Sequence, residues 1–332
     1  MRLANLPTGS KIVGGNVAQT YSDWALGSQK PNLQFWTNNW DFGWVKNSID
    51  YGCGNGLGLN CIRIQGSPDA IGTITQATYN ARWQQICDYA GQLGVYVYPC
   101  GGWGVECGAM SDAAISANII SMLGALDGYP NVIGCDLLQE ANQTFKLTPA
   151  RIRTIYNDVK ATTDFPLTYS TSLTMSNTGG DTAWEWLITI LGVDYLDYFD
   201  FHCYSPRYNL NNPIPSSFFN QWISAYPTRD IILGEFGIDT TNTAPQQSNY
   251  LQKVCEAAAD VRAQIRGCLI WNIVAEEPGD PFPPSAEGDF GIYDRDFGFY
   301  TAKSVPMKAA TGGRAALRPV LTPAAVGFMG SA

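Results

Sequence analysis

The pattern of apolar and polar positions is most informative at Ile231–Gly237, which reads IILGEFG. Apolar residues occupy both faces of this run, which is typical of a strand buried on both sides in a parallel sheet. Glu235 lies near the end of the run. Because burying an unpaired carboxylate costs several kcal/mol, Glu235 is expected to have either a charged partner or a chemical role.

A second stretch has the same form. Asn131–Asn142 reads NVIGCDLLQEAN, an apolar run that ends in Glu140. Two buried strands that each end in a glutamate predict one site that holds two carboxylates.

A strand followed by a helix is the pattern repeated along most of the chain. The predicted strands are Leu33–Trp40, Leu59–Gly66, Val95–Gly104, Asn131–Asn142, Pro166–Ser172, Tyr195–Ser205, Ile231–Gly237 and Gly267–Val274. The predicted helices are Asp41–Gly52, Tyr79–Ala90, Ala113–Leu126, Pro149–Ala161, Thr182–Gly192, Ser216–Tyr226, Pro245–Ile265 and Ala302–Thr311. This alternation predicts an α/β fold, a single-domain (β/α)8 TIM barrel of typically ~250 residues. An open doubly wound sheet is the alternative, but no Gly-rich dinucleotide fingerprint follows the first strand.

The two ends of the chain differ from this repeating part. Residues 1–31 are rich in Gly, Asn and Ser and are predicted to form an N-terminal arm, followed by the barrel domain at 32–315. Residues 316–332 are apolar and almost uncharged. Because free tails are normally polar, this C-terminal tail is expected either to pack along the outer wall of the barrel or to dock onto a protein partner.

The composition narrows the class of ligand. The chain has 332 residues, a formal net charge of −9 and only 15% charged residues, with no basic run. This argues against nucleic acid and anionic membrane surfaces as partners, and no apolar run is long enough to span a membrane. Abundant aromatic and amide side chains suit a neutral, hydroxyl-rich ligand such as a sugar, although an ordinary acidic soluble protein can have the same composition.

The nine cysteines do not indicate a metal or redox site. Their odd number and scattered spacing match neither a disulfide framework nor a zinc site, so no metal and no cofactor are expected. One disulfide, between Cys100 and Cys107, is conceivable across the loop after the third predicted strand.

A barrel brings the carboxyl ends of its strands together on one face. The residues predicted at such ends are Arg63, Glu140, His202, Tyr204, Glu235 and Trp271. Two carboxylates across a pocket suit cleavage of a glycosidic bond, in which one acid protonates the leaving oxygen. The alternative is that both glutamates are structural ion-pair partners.

The remaining candidates surround the two glutamates. Arg63 and Tyr204 are expected to contact Glu235 and keep it ionised. His202 is the only histidine and shares a strand face with Asp200 and Tyr204. Trp271 offers a flat ring for a sugar, and Trp36, Trp40 and Trp103 are expected either to extend that platform or to pack in the core.

These residues resemble those of the clan A glycoside hydrolases, most closely family 5, the cellulase and mannanase type. The resemblance covers residues 33–315 and rests on the motifs NCIRI, LLQEAN, FHCY, LGEFG and IWN. It implies a retaining hydrolase of β-glycosidic bonds in a polysaccharide or glycan, with Glu140 as acid/base and Glu235 as nucleophile. It also implies substrate-binding roles for Arg63, His202 and Tyr204, and for Trp271.

Two departures from the clan pattern leave the exact family and the sugar open. Gln139 stands where the clan has an asparagine that contacts the sugar 2-hydroxyl, and no histidine occurs in VYVYPCGGWG, the third predicted strand. Retention predicts carboxyl groups ~5–5.5 Å apart. A glycan-binding adhesion barrel without catalysis is the alternative function.

The location in the cell is predicted from the substrate. The first residues have no apolar core segment, so no signal peptide is expected in this chain. A glycan substrate then implies an extracellular protein, or one carried on a larger particle such as a phage tail.

Overall fold

The computed structural model describes residues 3–7, 9–17, 31–54, 56–143, 147–172, 184–204, 216–238, 242–274, 306–307 and 309. Their strands form one parallel sheet with the order β5-β4-β3-β2-β1-β9-β8-β7-β6. The strands are β1 Ile12–Val17, β2 Cys61–Gln65, β3 Tyr96–Cys100, β4 Cys135–Asp136, β5 Leu167–Thr168, β6 Ser170–Ser172, β7 Phe199–Tyr204, β8 Ile231–Gly237 and β9 Ile265–Ile270.

The two edges of this sheet are neighbours in sequence. Only Tyr169 separates β5, which pairs with β4, from β6, which pairs with β7. The two short strands therefore fill one position, and the sheet is a nearly closed barrel. The predicted (β/α)8 architecture is confirmed.

Helices follow the strands along the chain. They are α1 Pro31–Trp36, α2 Phe42–Cys53, α3 Gln76–Gln92, α4 Gly104–Cys107, α5 Asp112–Ala125, α6 Pro149–Lys160, α7 Ser216–Ala225 and α8 Ala244–Ala258. The hydroxyls of Thr75, Ser111 and Thr148 accept backbone N–H bonds and so begin α3, α5 and α6. In the described part of the chain no helix is long and apolar enough to cross a membrane.

The prediction of a strand at Leu33–Trp40 is wrong. Residues 31–36 form helix α1, and the first strand is β1, which lies inside the predicted N-terminal arm. A short apolar run such as LQFW does not distinguish a buried helix from a buried strand. Pro31 begins the helix, a position at which its missing N–H is not needed.

Strand β1 was missed because it contains glycines in place of the usual bulky residues. A Cβ on Gly14 would lie 2.5 Å from the Cys61 carbonyl oxygen, and one on Gly15 would lie 2.5 Å from Ile273 Cγ1. Only glycine allows so close an approach. The sequence IVGGNV therefore has the composition of a loop although it forms a central strand.

Other predicted elements are present with shifted ends. Strand β4 has only two residues, and the helix predicted at Thr182–Gly192 is a π-helical segment at Glu185–Leu191. The tail at 316–332 and most of the helix predicted at Ala302–Thr311 lie outside the described residues. All nine cysteines are free, so the suggested pairing of Cys100 with Cys107 is wrong.

Two apolar clusters stabilise the barrel. The larger packs the helices around the sheet. The smaller lies mostly near the amino ends of the strands and includes the N-terminal residues Leu3 and Leu6. The opposite ends of the strands are left for polar side chains.

Candidate active site

Glu235 is the buried centre of the polar cluster at the carboxyl end of the barrel. Arg63, from β2, donates from Nη1 to Glu235 Oε1 at 2.5 Å. The Tyr204 hydroxyl at the end of β7 donates to Glu235 Oε2. The structure thus has both contacts that the sequence suggested for this carboxylate.

Arg63 is fully buried and is held from several strands. Its Nη2 lies 2.7 Å from Asp136 Oδ2, and its Nη1 lies 2.8 Å from Asn16 Oδ1. Asn16 in turn donates to the carbonyls of Gly234 and Ile270 at 3.1 and 3.2 Å. The guanidinium is therefore fixed relative to the backbone that carries Glu235.

Asn16 and Asp136 were missed from the sequence. Asn16 lies in the segment that the sequence predicts to be an N-terminal arm, and nothing in the sequence marks it. Asp136 had one signal, since it lies in the same buried run as Glu140.

Glu140 follows β4 and has a left-handed backbone with φ of 45°. A non-glycine residue in this region costs of order 1–3 kcal/mol, and such residues cluster at functional sites. Its N–H donates to Ser170 Oγ at 2.9 Å, and the N–H of Gln139 donates to the Gly102 carbonyl at 2.8 Å. These bonds to β6 and to the segment after β3 hold Glu140 in place. Its side chain is 16% exposed, compared with 2% for Glu235.

His202 lies between the two glutamates. Its Nδ1 is 3.0 Å from Glu140 Oε1 and 3.2 Å from Glu235 Oε2. His202 pairs with Glu235 in the sheet, after a register shift between Asp200 and His202. Irregularities of this kind re-aim side chains and are common next to active sites. A ligand atom from each of Glu140, His202 and Glu235 lies within 4.8 Å of the others.

Burial controls the charge of this cluster. It lowers the pKa of His202 to about 4, against the attraction of Glu235, so the ring is neutral at pH 7. Burial also raises the pKa of Glu235, while His202, Arg63 and Tyr204 act to lower it. Because His202 is neutral, the positive charge that favours ionised Glu235 at pH 7 is that of Arg63.

A second polar layer lies beneath His202. Asp200 is fully buried and accepts from the Tyr98 hydroxyl at 2.6 Å and from the Gly234 N–H at 2.9 Å. The Tyr198 hydroxyl donates to that of Tyr98 at 3.0 Å. The sequence placed Asp200 on the same face as His202 but gave no signal for Tyr98.

Among the residues that the structure describes, two sets of side chains have metal-ligand chemistry, namely Glu140 with His202 and Glu235, and Asp136 with Asp200 and His202. In each set one carboxylate already accepts a bond from Arg63. The permanent charge of this arginine repels a cation. These residues therefore form a hydrogen-bonded carboxylate network.

The tryptophans of the predicted aromatic platform differ in exposure. Trp271 is 6% exposed and Trp103 is partly buried. Trp36 is fully buried, donates from Nε1 to the Gln65 carbonyl at 2.7 Å and stacks against Trp83. Trp36 therefore packs in the core and has no ring face left for a sugar.

Gln139 precedes Glu140 and carries an unused acceptor. Its Oε1 atom is buried and has no hydrogen-bond partner among the described residues. Because a buried carbonyl oxygen without a partner costs about 1–3 kcal/mol, this atom is suited to a ligand donor.

No family model and no curated protein matches the sequence. Solved structures do match its fold. An exo-beta-1,4-mannosidase, Op5Man5, from Opitutaceae bacterium strain TAV5 has a TM-score of 0.68 and 17% identity, over 91% of this chain and 59% of that chain. A GH5_18 protein from Streptomyces cattleya in complex with GlcNAc has a TM-score of 0.68 and 14% identity, over 92% and 80%.

A beta-glucuronidase from an uncultured Clostridium sp. is also similar, with a TM-score of 0.59 and 14% identity over 91% of this chain and 50% of that chain. The chain thus spans 59% of the mannosidase and half of the glucuronidase. At these identities the likeness shows the fold alone, a (β/α)8 barrel like those of these solved structures. The structural neighbours are glycoside hydrolases.

Proposed function

We propose that this protein is a retaining glycoside hydrolase that cleaves β-glycosidic bonds in a polysaccharide or glycan. One observation carries the proposal: carboxylate oxygens of Glu140 and Glu235 lie within 4.8 Å of each other and of His202 Nδ1. Retaining enzymes have carboxyl groups about 5–5.5 Å apart, whereas inverting enzymes need about 6.5–9.5 Å to admit a water.

The environments of the two glutamates support the roles that we propose for them. Glu235 contacts the Arg63 guanidinium and the Tyr204 hydroxyl, both of which favour its ionised form as nucleophile. Glu140 is the more exposed of the two, so its proton is within reach of a leaving group at the pocket surface.

The first step forms a bond between a Glu235 oxygen and the anomeric carbon. The bond from that carbon to the leaving oxygen breaks, and the proton of Glu140 moves to the leaving oxygen. In the second step Glu140 takes a proton from water, the water oxygen bonds to the anomeric carbon, and the ester to Glu235 breaks. Because esterification removes the charge of Glu235, it favours the ionised form of Glu140 that this step needs.

β-Mannosides are the first substrates to examine. Structural neighbours include a mannosidase and a GH5_18 variant in complex with Manb1-4GlcNAc. Gln139 Oε1 is the acceptor that we assign to a sugar hydroxyl, in the position where the clan has an asparagine.

The test is turnover of a panel of aryl β-mannoside, β-glucoside and β-glucuronide, together with Manβ1-4GlcNAc. We expect hydrolysis by the native protein and by the surface variant Glu256→Gln, and loss of hydrolysis in Glu235→Ala. An early NMR time course is expected to give the β anomer of the product first.

Each contrary outcome has a distinct meaning. Release of the α anomer first means inversion and overturns the role of Glu235. Binding of a glycan without turnover overturns hydrolysis and supports the alternative of an adhesion barrel.

A further inference from the structure

Asp200 is a buried carboxyl group that takes no direct part in the proposed reaction. It lies on β7, two residues before His202, and has no exposed surface. Its Oδ2 accepts from Tyr98 and its Oδ1 accepts from the N–H of Gly234, the residue before Glu235. Asp200 therefore joins the strand of His202 to the backbone of the nucleophile.

The donors to Asp200 are uncharged. In the described part of the chain no lysine or arginine forms an ion pair with it, because Arg63 gives its contacts to Asp136 and Glu235. The titratable groups that face Asp200 are Arg63, Tyr98, Asp136, Tyr198, His202 and Glu235. Arg63 is the permanent cation of this set, and it already faces two other carboxylates.

His202 has two distinct faces. Nδ1 faces the glutamates, whereas Nε2 has no hydrogen-bond partner in the described structure and lies 3.9 Å from Asp200 Oδ1. A neutral imidazole has a hydrogen on one nitrogen and a lone pair on the other. Only the tautomer with hydrogen on Nδ1 donates to Glu140 and Glu235.

We infer that Asp200 is a positioning residue, which stays protonated and thereby keeps His202 in the Nδ1–H tautomer that donates to the two glutamates. The inference rests on the proposed function. A neutral Asp200 places no negative charge opposite the Nε2 lone pair. An ionised Asp200 attracts the ring hydrogen to Nε2, and the Nδ1 lone pair then faces the carboxylates of Glu140 and Glu235 and repels them.

The electrostatics of the pocket agree with this inference. Burial first, and then the charge of Asp136, raise the pKa of Asp200 well above its ordinary value. The charge of Arg63 and the hydrogen bond from Tyr98 oppose this rise, and the charge of Glu235 adds to it. Burial likewise lowers the pKa of His202 to about 4, so the ring is neutral at pH 7 and its tautomer is the relevant variable.

His202 makes the test direct because it is the only histidine in the sequence. Protein labelled with 15N-histidine gives a single imidazole signal set, whose shifts and couplings report the tautomer. At pH 7 we expect Nδ1–H in the native protein and in Asp200→Asn, whose amide is also neutral. We also expect an infrared carbonyl band of a protonated acid that Asp200→Asn removes and that the surface variant Asp260→Asn, whose partner is Arg262, keeps.

The activity readout is the acid limb of the kcat/KM profile, which reports the ionisation of Glu235. Since Asp200→Asn replaces one neutral group with another, this limb is expected to stay within a few tenths of a pH unit. A downward shift of about one unit means that a negative charge was removed, and overturns the inference.

An Nε2–H tautomer at pH 7, or an infrared spectrum that Asp200→Asn leaves unchanged, also overturns the inference. The tautomer of His202 is measured on the native protein. An Nε2–H tautomer there overturns the inference even if a variant fails to fold. Neither the NMR nor the infrared measurement requires turnover. Failure of the proposed hydrolase activity is therefore distinguishable from failure of this inference.

Discussion

Arg63 and Glu235 are in contact across the inside of the barrel, with Nη1 2.5 Å from Oε1, although their strands are not neighbours. Two other strands, β1 and β9, lie between β2 and β8 in the sheet. The contact therefore depends on barrel closure. It also ties the ionisation of Glu235, the proposed nucleophile, to the integrity of the fold.

The first prediction concerns Arg63→Lys. A single ammonium cannot contact Asp136 and Glu235 in the way that the guanidinium fork does, so one buried carboxylate loses its partner. We expect the unfolding free energy to fall by up to about 3–5 kcal/mol, measured by urea denaturation. The acid limb of kcat/KM is expected to move to higher pH. Arg262→Lys, in a surface pair with Asp260, is the control and should cost less than about 1 kcal/mol.

Replacing Glu140 by alanine tests the acid/base role. Substrates with poor leaving groups need its proton, so their kcat is expected to fall by about 10²–10⁴-fold. Activated aryl glycosides should lose less in the first step, and azide should restore part of their turnover by attacking the intermediate without base assistance. Equal loss on all leaving groups, with no effect of azide, contradicts the assignment.

The raised pKa of Glu106 leads us to expect that the stability of the protein falls as the pH rises. It is buried on α4 and accepts from the N–H and Nδ2 of Asn32 at 2.9 and 3.1 Å. Burial raises its pKa from 4.5 to about 8, although the bonds from Asn32 and Ser67 oppose the rise. Because the folded pKa is the higher one, its stabilising contribution is complete below pH 4.5 and is lost as the pH rises through 8.

The variant Glu106→Gln removes this titration and keeps the shape of the side chain. Between pH 5 and 9 the native protein is expected to lose several kcal/mol relative to the variant, at about 1.4 kcal/mol for each unit of pKa shift. Chemical denaturation at a series of pH values measures the difference. Parallel curves for the two proteins would show that Glu106 has an ordinary pKa.

A double-mutant cycle, which enlarges residue 234 and shortens residue 200, tests the packing of Asp200 against Gly234. A Cβ at position 234 would clash with the carboxylate oxygens of Asp200, so Gly234→Ala should destabilise the protein by about 1–3 kcal/mol. Asp200→Ala removes the clash, and we expect the double variant to be more stable than the sum of the single effects by about 0.5–3 kcal/mol. Gly124→Ala is the control, since its Cβ meets nothing within 4 Å. Simple additivity would exclude the contact.

The sequence predicts the fold and the site best where an apolar strand pattern ends in a residue with catalytic chemistry. Ile231–Gly237 is apolar on both faces and forms β8 with the same ends. Glu235 could therefore be placed at the carboxyl end of a barrel strand without any structure. Glu140 followed from the same argument, although its strand β4 is only two residues long.

The parts of the site that the sequence did not predict depend on contacts between strands that are distant in the chain. Asp200 and Tyr98 meet across the barrel, and nothing local in either strand specifies the stagger that brings them together. Trp36 is an aromatic residue of the kind that a sugar-binding platform needs. It lies at the end of helix α1, where the sequence predicts a strand, and its ring is buried in the core. Strand β1 could not be predicted because close packing requires glycine at positions 14 and 15, where strands usually carry bulky side chains.

The glycines of β1 also bear on how the chain folds during synthesis. Strand β1 pairs with β2 on one side and with β9 on the other, and β9 lies near the end of the described chain. At about 5–20 residues per second, β9 emerges from the ribosome on the order of tens of seconds after β1. During that interval one edge of β1 is unpaired, a state in which strands can associate with other chains. Gly14 and Gly15 give β1 a low intrinsic tendency to form strand pairs. The unpaired edge of β1 is therefore a poor template for aggregation with other chains.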